Sequence, residues 1–201
     1  MKRAMPGKAS RIGPIGRFRI ALGRAMVDLR GMISRPVIIA LALVPVLALC
    51  LWPGTARALC TDPPAPGVNW QRCNFDRLDL AAIDLSGARL RDASFIRADL
   101  SGSKLVEADA TRAKFINATL NGTVFDNAKL YEADLTKADL TEASLNGADL
   151  RLARLFRAKL RGADLTGARL GGTDLSRADL SGATWTDGKR VCAEGSVGRC
   201  N

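Results

Sequence analysis

The sequence predicts an all-β fold in which the chain winds into a parallel β-helix with square coils. The first observation is an apolar residue at every fifth position from Trp70 to Trp185, which fills 24 consecutive slots without a phase slip. Seventeen of these slots hold Leu, four hold Phe, two hold Trp and one holds Ala110. The second observation is a small residue two positions before each slot, which is Ala in 17 of 20 cases from Ala88 to Ala183. Each side of a coil therefore contributes one large and one small residue to the interior.

A period of five residues matches neither an α-helix, at 3.6 residues per turn, nor a flat strand, at two. It requires a chain that turns a corner every five residues, so that four sides close a square coil of 20 residues. With four slots in each coil, the 24 slots make about six coils. Coils that pair like parallel strands are spaced about 4.8 Å apart, so the stack should be about 29 Å high. Pairs of residues 20 apart are then neighbours on adjacent coils.

A recurring A-D-L-x-x pattern accompanies this period. Examples are Ala98-Asp99-Leu100, Ala138-Asp139-Leu140, Ala148-Asp149-Leu150 and Ala178-Asp179-Leu180. The pattern resembles the pentapeptide repeat family, and the resemblance extends over about residues 68–187. It implies a right-handed quadrilateral β-helix. It implies little about function, because the family is functionally diverse.

The N-terminal residues have the pattern of an export leader. Residues 1–36 form a basic n-region, residues 37–52 an apolar h-region, and Ala56-Arg57-Ala58 matches an A-x-A cleavage site. We expect cleavage after Ala58 and a periplasmic or secreted protein. The alternative is an inner-membrane anchor formed by residues 37–52, although this run is shorter than the about 20 residues of a membrane span. Met32 is an alternative start, since it would give a leader of ordinary length.

The positive charge of the chain is concentrated in this leader. Residues 1–58 carry ten basic side chains and one acidic side chain, a net charge of +9. Residues 59–201 carry twenty basic and nineteen acidic side chains, a net charge of +1. A nearly neutral repeat domain is a poor match to the phosphate backbone, so we expect no nucleic-acid partner.

Four cysteines follow the leader, and an even number in an exported protein favours disulfides. Cys60 and Cys73 belong to one end of the predicted rod, and Cys192 and Cys200 belong to the other. Because a disulfide needs Cα atoms within about 7 Å, we expect the bonds Cys60–Cys73 and Cys192–Cys200. They would close an N-terminal cap at residues 59–69 and a C-terminal cap at residues 188–201. We expect no metal, because the spacing lacks a CxxC pair; a redox-active pair is the other alternative.

One corner of the rod has the composition of a binding edge. The column just after the slots includes Ile96, Ile116 and Phe156, with Thr136 between the last two. The adjoining column holds Arg97, Asn117, Lys137, Arg157 and Arg177. This edge suits an acidic protein face, an anionic membrane surface or a second copy of the chain as a homodimer. Scattered exposed apolar residues are also common on ordinary surfaces.

The corners further differ in glycine content two positions after the slot. Two corners are rich in Gly there, as in Gly102 and Gly147, and Gly suits the positive φ of a type II turn. The other two corners hold almost no Gly, as in Arg97 and Asp92, and we predict type I-like turns for them.

Several function classes are disfavoured by the same features. The chain has no His, which removes the commonest general base, and no insertion breaks the repeat to wall a cleft. A DNA mimic needs a continuous acidic face, but the one acidic column is interrupted by Thr119 and Lys159. We therefore expect an exported, non-catalytic structural or protein-interaction module without a cofactor. A DNA mimic that acts on topoisomerases and a β-helix enzyme that acts on cell-wall glycans are the alternatives.

Overall fold

The computed structural model describes residues 60–201, so the predicted leader lies outside the described residues. These residues form no helix or extended strand; their β-structure consists of isolated bridges. Parallel bridges join residues 20 apart in an unbroken series from Asn69↔Arg89 to Asp164↔Thr184. Within the same range, no helix is long and apolar enough to cross a membrane.

Backbone hydrogen bonds run along the stack at every coil. The slot residue donates to the next coil, as from Phe95 N to Lys114 O at 2.8 Å. The residue before the slot donates to the previous coil, as from Lys114 N to Ala93 O at 2.9 Å. The second corner residue also donates to the next coil, as from Arg97 N to Ile116 O at 3.0 Å. Main-chain polar groups on the sides of the rod are thereby satisfied.

All four corners have the same backbone, which makes the predicted type I-like turns wrong. The second corner residue has positive φ on the Gly-poor corners too, with 59° at Arg97, 58° at Asp92 and 60° at Leu152. The slot carbonyl accepts from the residue three positions later, as Phe95 O does from Ala98 N at 3.1 Å, which completes a type II turn. The physical reason is the bond to the next coil, since positive φ aims the second corner N–H along the stack.

The interior is a dry column of Leu, Ala and Phe. Phe75, Phe95 and Phe115 stack along one side, with ring centroids 5.3 and 5.2 Å apart. Phe115 also meets Phe125 edge-to-face across the coil at 6.0 Å. Ala110, the small residue among the slots, is fully buried in the same coil.

Three hydroxyl residues replace Ala at small interior positions, and each has a hydrogen-bond partner. Thr123 Oγ1 donates to Leu100 O at 2.9 Å, and Ser103 Oγ donates to Leu80 O at 2.8 Å. Thr173 makes the equivalent bond to a carbonyl of the coil below. A buried hydroxyl is tolerated here because the carbonyl of the coil below lies within reach.

The two ends of the stack carry the disulfides. Cys60 is bonded to Cys73, with Cα atoms 5.4 Å apart, and Cys192 is bonded to Cys200, with Cα atoms 4.8 Å apart. These are the two pairs that the sequence predicted. At the C-terminal end the chain reverses and adds antiparallel bridges, which are Asp179↔Val197 and Thr184↔Val191.

Candidate functional site

A groove of about 770 Å³ runs across three coils at the predicted binding edge. It brings together Ile96, Arg97 and Ile116 from the sequence prediction. It also includes Arg77, which was not among the predicted edge residues, although the 20-residue period places Arg77 directly below Arg97. The complete lining is Asn74, Asp76, Arg77, Ile96, Arg97, Ile116 and Asn117.

Polar side chains hold the lower part of this groove in place. The Asp76 carboxylate accepts hydrogen bonds from Ser94 Oγ at 2.6 Å and from Ile96 N at 2.9 Å, so it joins two coils. Asn74 Oδ1 accepts from Asp76 N at 2.8 Å. The lower part of the groove is therefore organised before any partner arrives, which limits the entropy cost of binding.

The apolar residues of the edge are half-buried, whereas the sequence predicted them to be exposed. Ile96, Ile116 and Phe156 all lie partly covered, while Arg97 and Arg157 beside them are exposed. At this corner the first residue after the slot is partly covered on each of these coils, and the second residue is exposed. The edge is thus a recessed apolar strip beside a projecting basic ridge.

Phe156 does not line the groove. It lies two coils beyond Ile116, and the half-buried Thr136 separates them. The Arg157 guanidinium stacks over the Phe156 ring, 5.3 Å from its centroid. The predicted edge therefore consists of two parts, a groove on the lower coils and an aromatic–guanidinium pair higher up.

The second corner residues form what we call the basic row, one cation per coil except at Asn117. Its members are Arg77, Arg97, Lys137, Arg157 and Arg177. Among the described residues, no carboxylate lies within 4.0 Å of any of these cations. Some cations on other columns have such partners, as in Arg112–Asp92 at 2.8 Å and Lys159–Asp139 at 2.9 Å, whereas others, such as Lys114, have none within residues 60–201.

The acidic column that follows the basic row, which is Asp79, Asp99, Asp139 and Asp179, forms no ion pair with it among the described residues. A hydrogen bond from the Ser101 side chain lowers the pKa of Asp99, and one from Ser181 does the same for the pKa of Asp179. These carboxylates are ionised and hydrogen-bonded within their own turns. The basic row keeps its charge available to solvent.

Charge pairing elsewhere is partial. Two columns just before the slot alternate in charge along the stack, and they are Arg89, Asp109, Lys129, Asp149, Arg169 and Lys114, Asp134, Arg154, Asp174. Within them Arg154–Asp134 and Arg169–Asp149 form ion pairs at 3.8 and 3.7 Å. Asp109 instead pairs with Arg91, at 2.6 Å, rather than with a residue of its own column. Within residues 60–201 no group of three His, Cys, Asp or Glu side chains is arranged to hold a metal ion.

A model of the family described as pentapeptide repeats matches the chain in eight copies. The matched segments overlap and extend from residue 73 to residue 184. They are residues 73–109, 93–130, 111–147, 120–155, 133–172 and 153–184. No curated protein sequence matches the chain significantly.

Solved structures of pentapeptide repeat proteins are similar to this chain. HetL, involved in heterocyst differentiation regulation in the cyanobacterium Nostoc, is 31% identical over 61% of this chain and 64% of its own, with a TM-score of 0.44. A protein of the Arabidopsis thaliana thylakoid lumen is 30% identical over 61% and 83%, with a TM-score of 0.27. Rfr23 of the cyanobacterium Cyanothece is 25% identical over 58% and 90%, with a TM-score of 0.34. The chain thus spans less than two thirds of HetL.

Proposed function

Because the chain belongs to the pentapeptide repeat family, whose members fold as right-handed quadrilateral β-helices, we propose that it is an exported structural or protein-interaction module without catalytic activity. The family consists generally of non-enzymatic modules of this kind. In this proposal about six coils form the rod, and disulfide-closed caps cover both ends. The unbroken bridges and the two cystines support that architecture.

The binding edge is the contact site of the module. The observation that carries this assignment is the half-buried pair Ile96 and Ile116 beside Arg77 and Arg97, two cations that form no ion pair within residues 60–201. Burial of the apolar side chains would supply most of the binding affinity. The cations without an ion pair would orient the partner and raise the association rate. The partner is therefore anionic with some apolar surface, either a protein face or a membrane surface. A second copy of the chain is the remaining candidate.

The edge is tested by crosslinking the full chain in exported extracts and comparing Ile116→Ser with Val106→Ser. Both residues are half-buried and follow a slot, but Val106 lies on a different corner. We expect Ile116→Ser to lose a crosslinked partner or an oligomeric form that Val106→Ser retains. If both variants keep every partner and the same oligomeric state, the edge is not the contact site.

Export is tested separately, by fractionating cells that produce the chain with a C-terminal tag. We expect the tagged protein outside the cytoplasm with Leu59 as its first residue, because the A-x-A pattern ends at Ala58. A membrane-bound protein that keeps residues 37–52 would establish the anchor alternative. A full-length cytoplasmic protein would overturn export.

A further inference from the structure

We infer that the basic row and the adjoining groove bind a linear anionic polysaccharide that lies along the rod. The inference rests on the contact site of the proposed function but goes beyond it, because it assigns to that site a partner class other than the protein, membrane or second-copy partners named above. Three features carry it: the backbone conformation of the basic row, its alignment with a recessed apolar strip, and the absence of a free backbone edge on the sides of the rod.

The basic row keeps its side chains where the backbone disfavours them. φ is 62° at Arg77, 58° at Lys137 and 60° at Arg177, in the left-handed region that costs an L-residue energy. The same position on another corner takes Gly102, Gly122, Gly162 and Gly182. Stability alone would favour Gly here too, or alternating charges, because a column of like charges repels itself. The other Gly-poor corner has the same conformation, with φ of 58° at Asp92 and 57° at Glu132, but its charges are of both signs. Among the described corners, only the basic row combines positive φ with charged residues of a single sign, which stacking does not require and an external contact explains.

The geometry of the row matches a linear partner. Its cations follow the stacking axis with a spacing of about 4.8 Å per coil, apart from the step at Asn117. Such a line meets the regularly spaced charges of a linear polyanion and releases its counterions. The apolar strip runs parallel to the row but is recessed, since Ile96 is half-buried and Arg97 is exposed. A thin chain reaches both features at once, whereas a flat membrane meets the ridge alone.

The chemistry of the groove favours a sugar chain over an extended peptide. A peptide that adds as a strand needs free backbone groups, but Phe95 N and Arg97 N already donate to the next coil. A sugar chain needs no such ladder. Its hydroxyls are matched by the side chains of Asn74, Asp76 and Asn117, and its C–H faces pack on Ile96 and Ile116. Carboxylates or sulfates on the sugars accept bidentate hydrogen bonds from Arg77 and Arg97.

The experiment titrates the full chain, with disulfides intact, with an oligogalacturonate long enough to span the row. The test variant is Arg97→Gly with Lys137→Gly. The control variant is Arg72→Gly with Arg112→Gly, which also removes two cations at positive φ but on another corner. We expect the test variant to bind about tenfold more weakly, with a shallower salt dependence, and to unfold at a higher temperature. The control should keep wild-type affinity.

Three results would overturn the inference. If the test and control variants lost affinity for oligogalacturonate equally, binding would depend only on the net charge of the protein and not on the basic row. Equal binding of monomeric galacturonate or of a neutral glucan would remove the role of a linear anionic chain. Binding to phosphatidylglycerol vesicles without binding to oligogalacturonate would assign the row to a membrane. In each case the crosslinking result at Ile116 still decides the proposed function independently, so the two failures are distinguishable.

Discussion

Two corners of the rod have one backbone and opposite compositions. On the glycine corner the second residue is Gly102, Gly122, Glu142, Gly162 or Gly182. On the basic corner the same position holds Arg, Lys or Asn and never Gly. φ nevertheless stays near 60° on both, at 64° for Gly162 and 57° for Arg157.

The two corners show that stacking of the coils fixes the backbone conformation of a corner residue but not its side chain. Stacking requires positive φ at every corner, because the N–H there donates to the next coil. It places no demand on the side chain, which points to solvent. The glycine corner follows the conformational preference, whereas the basic corner and the corner that holds Asp92 and Leu152 both depart from it. The basic corner differs from that third corner in carrying charged residues of one sign, which the fold does not explain.

The largest effect is expected from disturbing the core that holds both corners in place. Ala110→Leu adds volume to a coil that already contains Phe115 and Phe125 in contact, so we expect a loss of about 1–3 kcal/mol in the free energy of unfolding. Urea unfolding measures it. Adding Phe125→Leu should restore part of the loss, and a neutral or stabilising Ala110→Leu would contradict the packing argument.

A reciprocal exchange at the two corners should have the next largest effect. Gly162→Ala places a Cβ 3.6 Å from Glu142 Cγ, an ordinary contact, so its cost is conformational, about 1 kcal/mol. Lys137→Gly should stabilise by about the same amount, because Lys137 has φ of 58° and forms no ion pair within residues 60–201. Thermal unfolding of both variants measures the difference. If both variants were stabilised, or both destabilised, the two corners would differ in their backbone energy.

The smallest effect concerns pH and a third corner. A hydrogen bond from Arg112 lowers the pKa of Asp92 in the folded protein. Its contribution to stability is therefore present above the unfolded pKa of about 3.9 and is lost as pH falls through the folded pKa. We expect acidification from pH of about 5 to destabilise the wild type slightly more than Asp92→Asn. The stability of Arg97→Gly should depend on pH as that of the wild type does, because Arg97 has no acidic partner among the described residues. If the stability of Arg97→Gly changed less with pH than that of Asp92→Asn, this explanation would be contradicted.

At the binding edge, the 20-residue period predicts which residues are neighbours on adjacent coils but not which side chains contact each other. The 20-residue period correctly placed Ile96, Arg97 and Ile116 on neighbouring coils, and these residues line one groove. The same period would have included Arg77. It could not show that Asp76 bonds Ile96 N across the coils, nor that Phe156 lies outside the groove under Arg157. Those facts depend on side-chain directions, which a residue spacing does not contain.

The five-residue period by itself determined the stacking register, the inward series from Trp70 to Trp185 and the pairing of the cysteines, because a regular repeat converts sequence separation directly into distance. Tertiary structure alone decided the turn type at Gly-poor corners and the recess of the apolar strip. At Arg97 and Asp92 the local preference for negative φ is outweighed by a hydrogen bond to the next coil, as at Asp92 N to Thr111 O. Positive φ costs each such corner about 1–2 kcal/mol, whereas leaving its N–H without a partner between stacked coils costs about 1–3 kcal/mol. The hydrogen-bonded conformation is therefore retained at each corner.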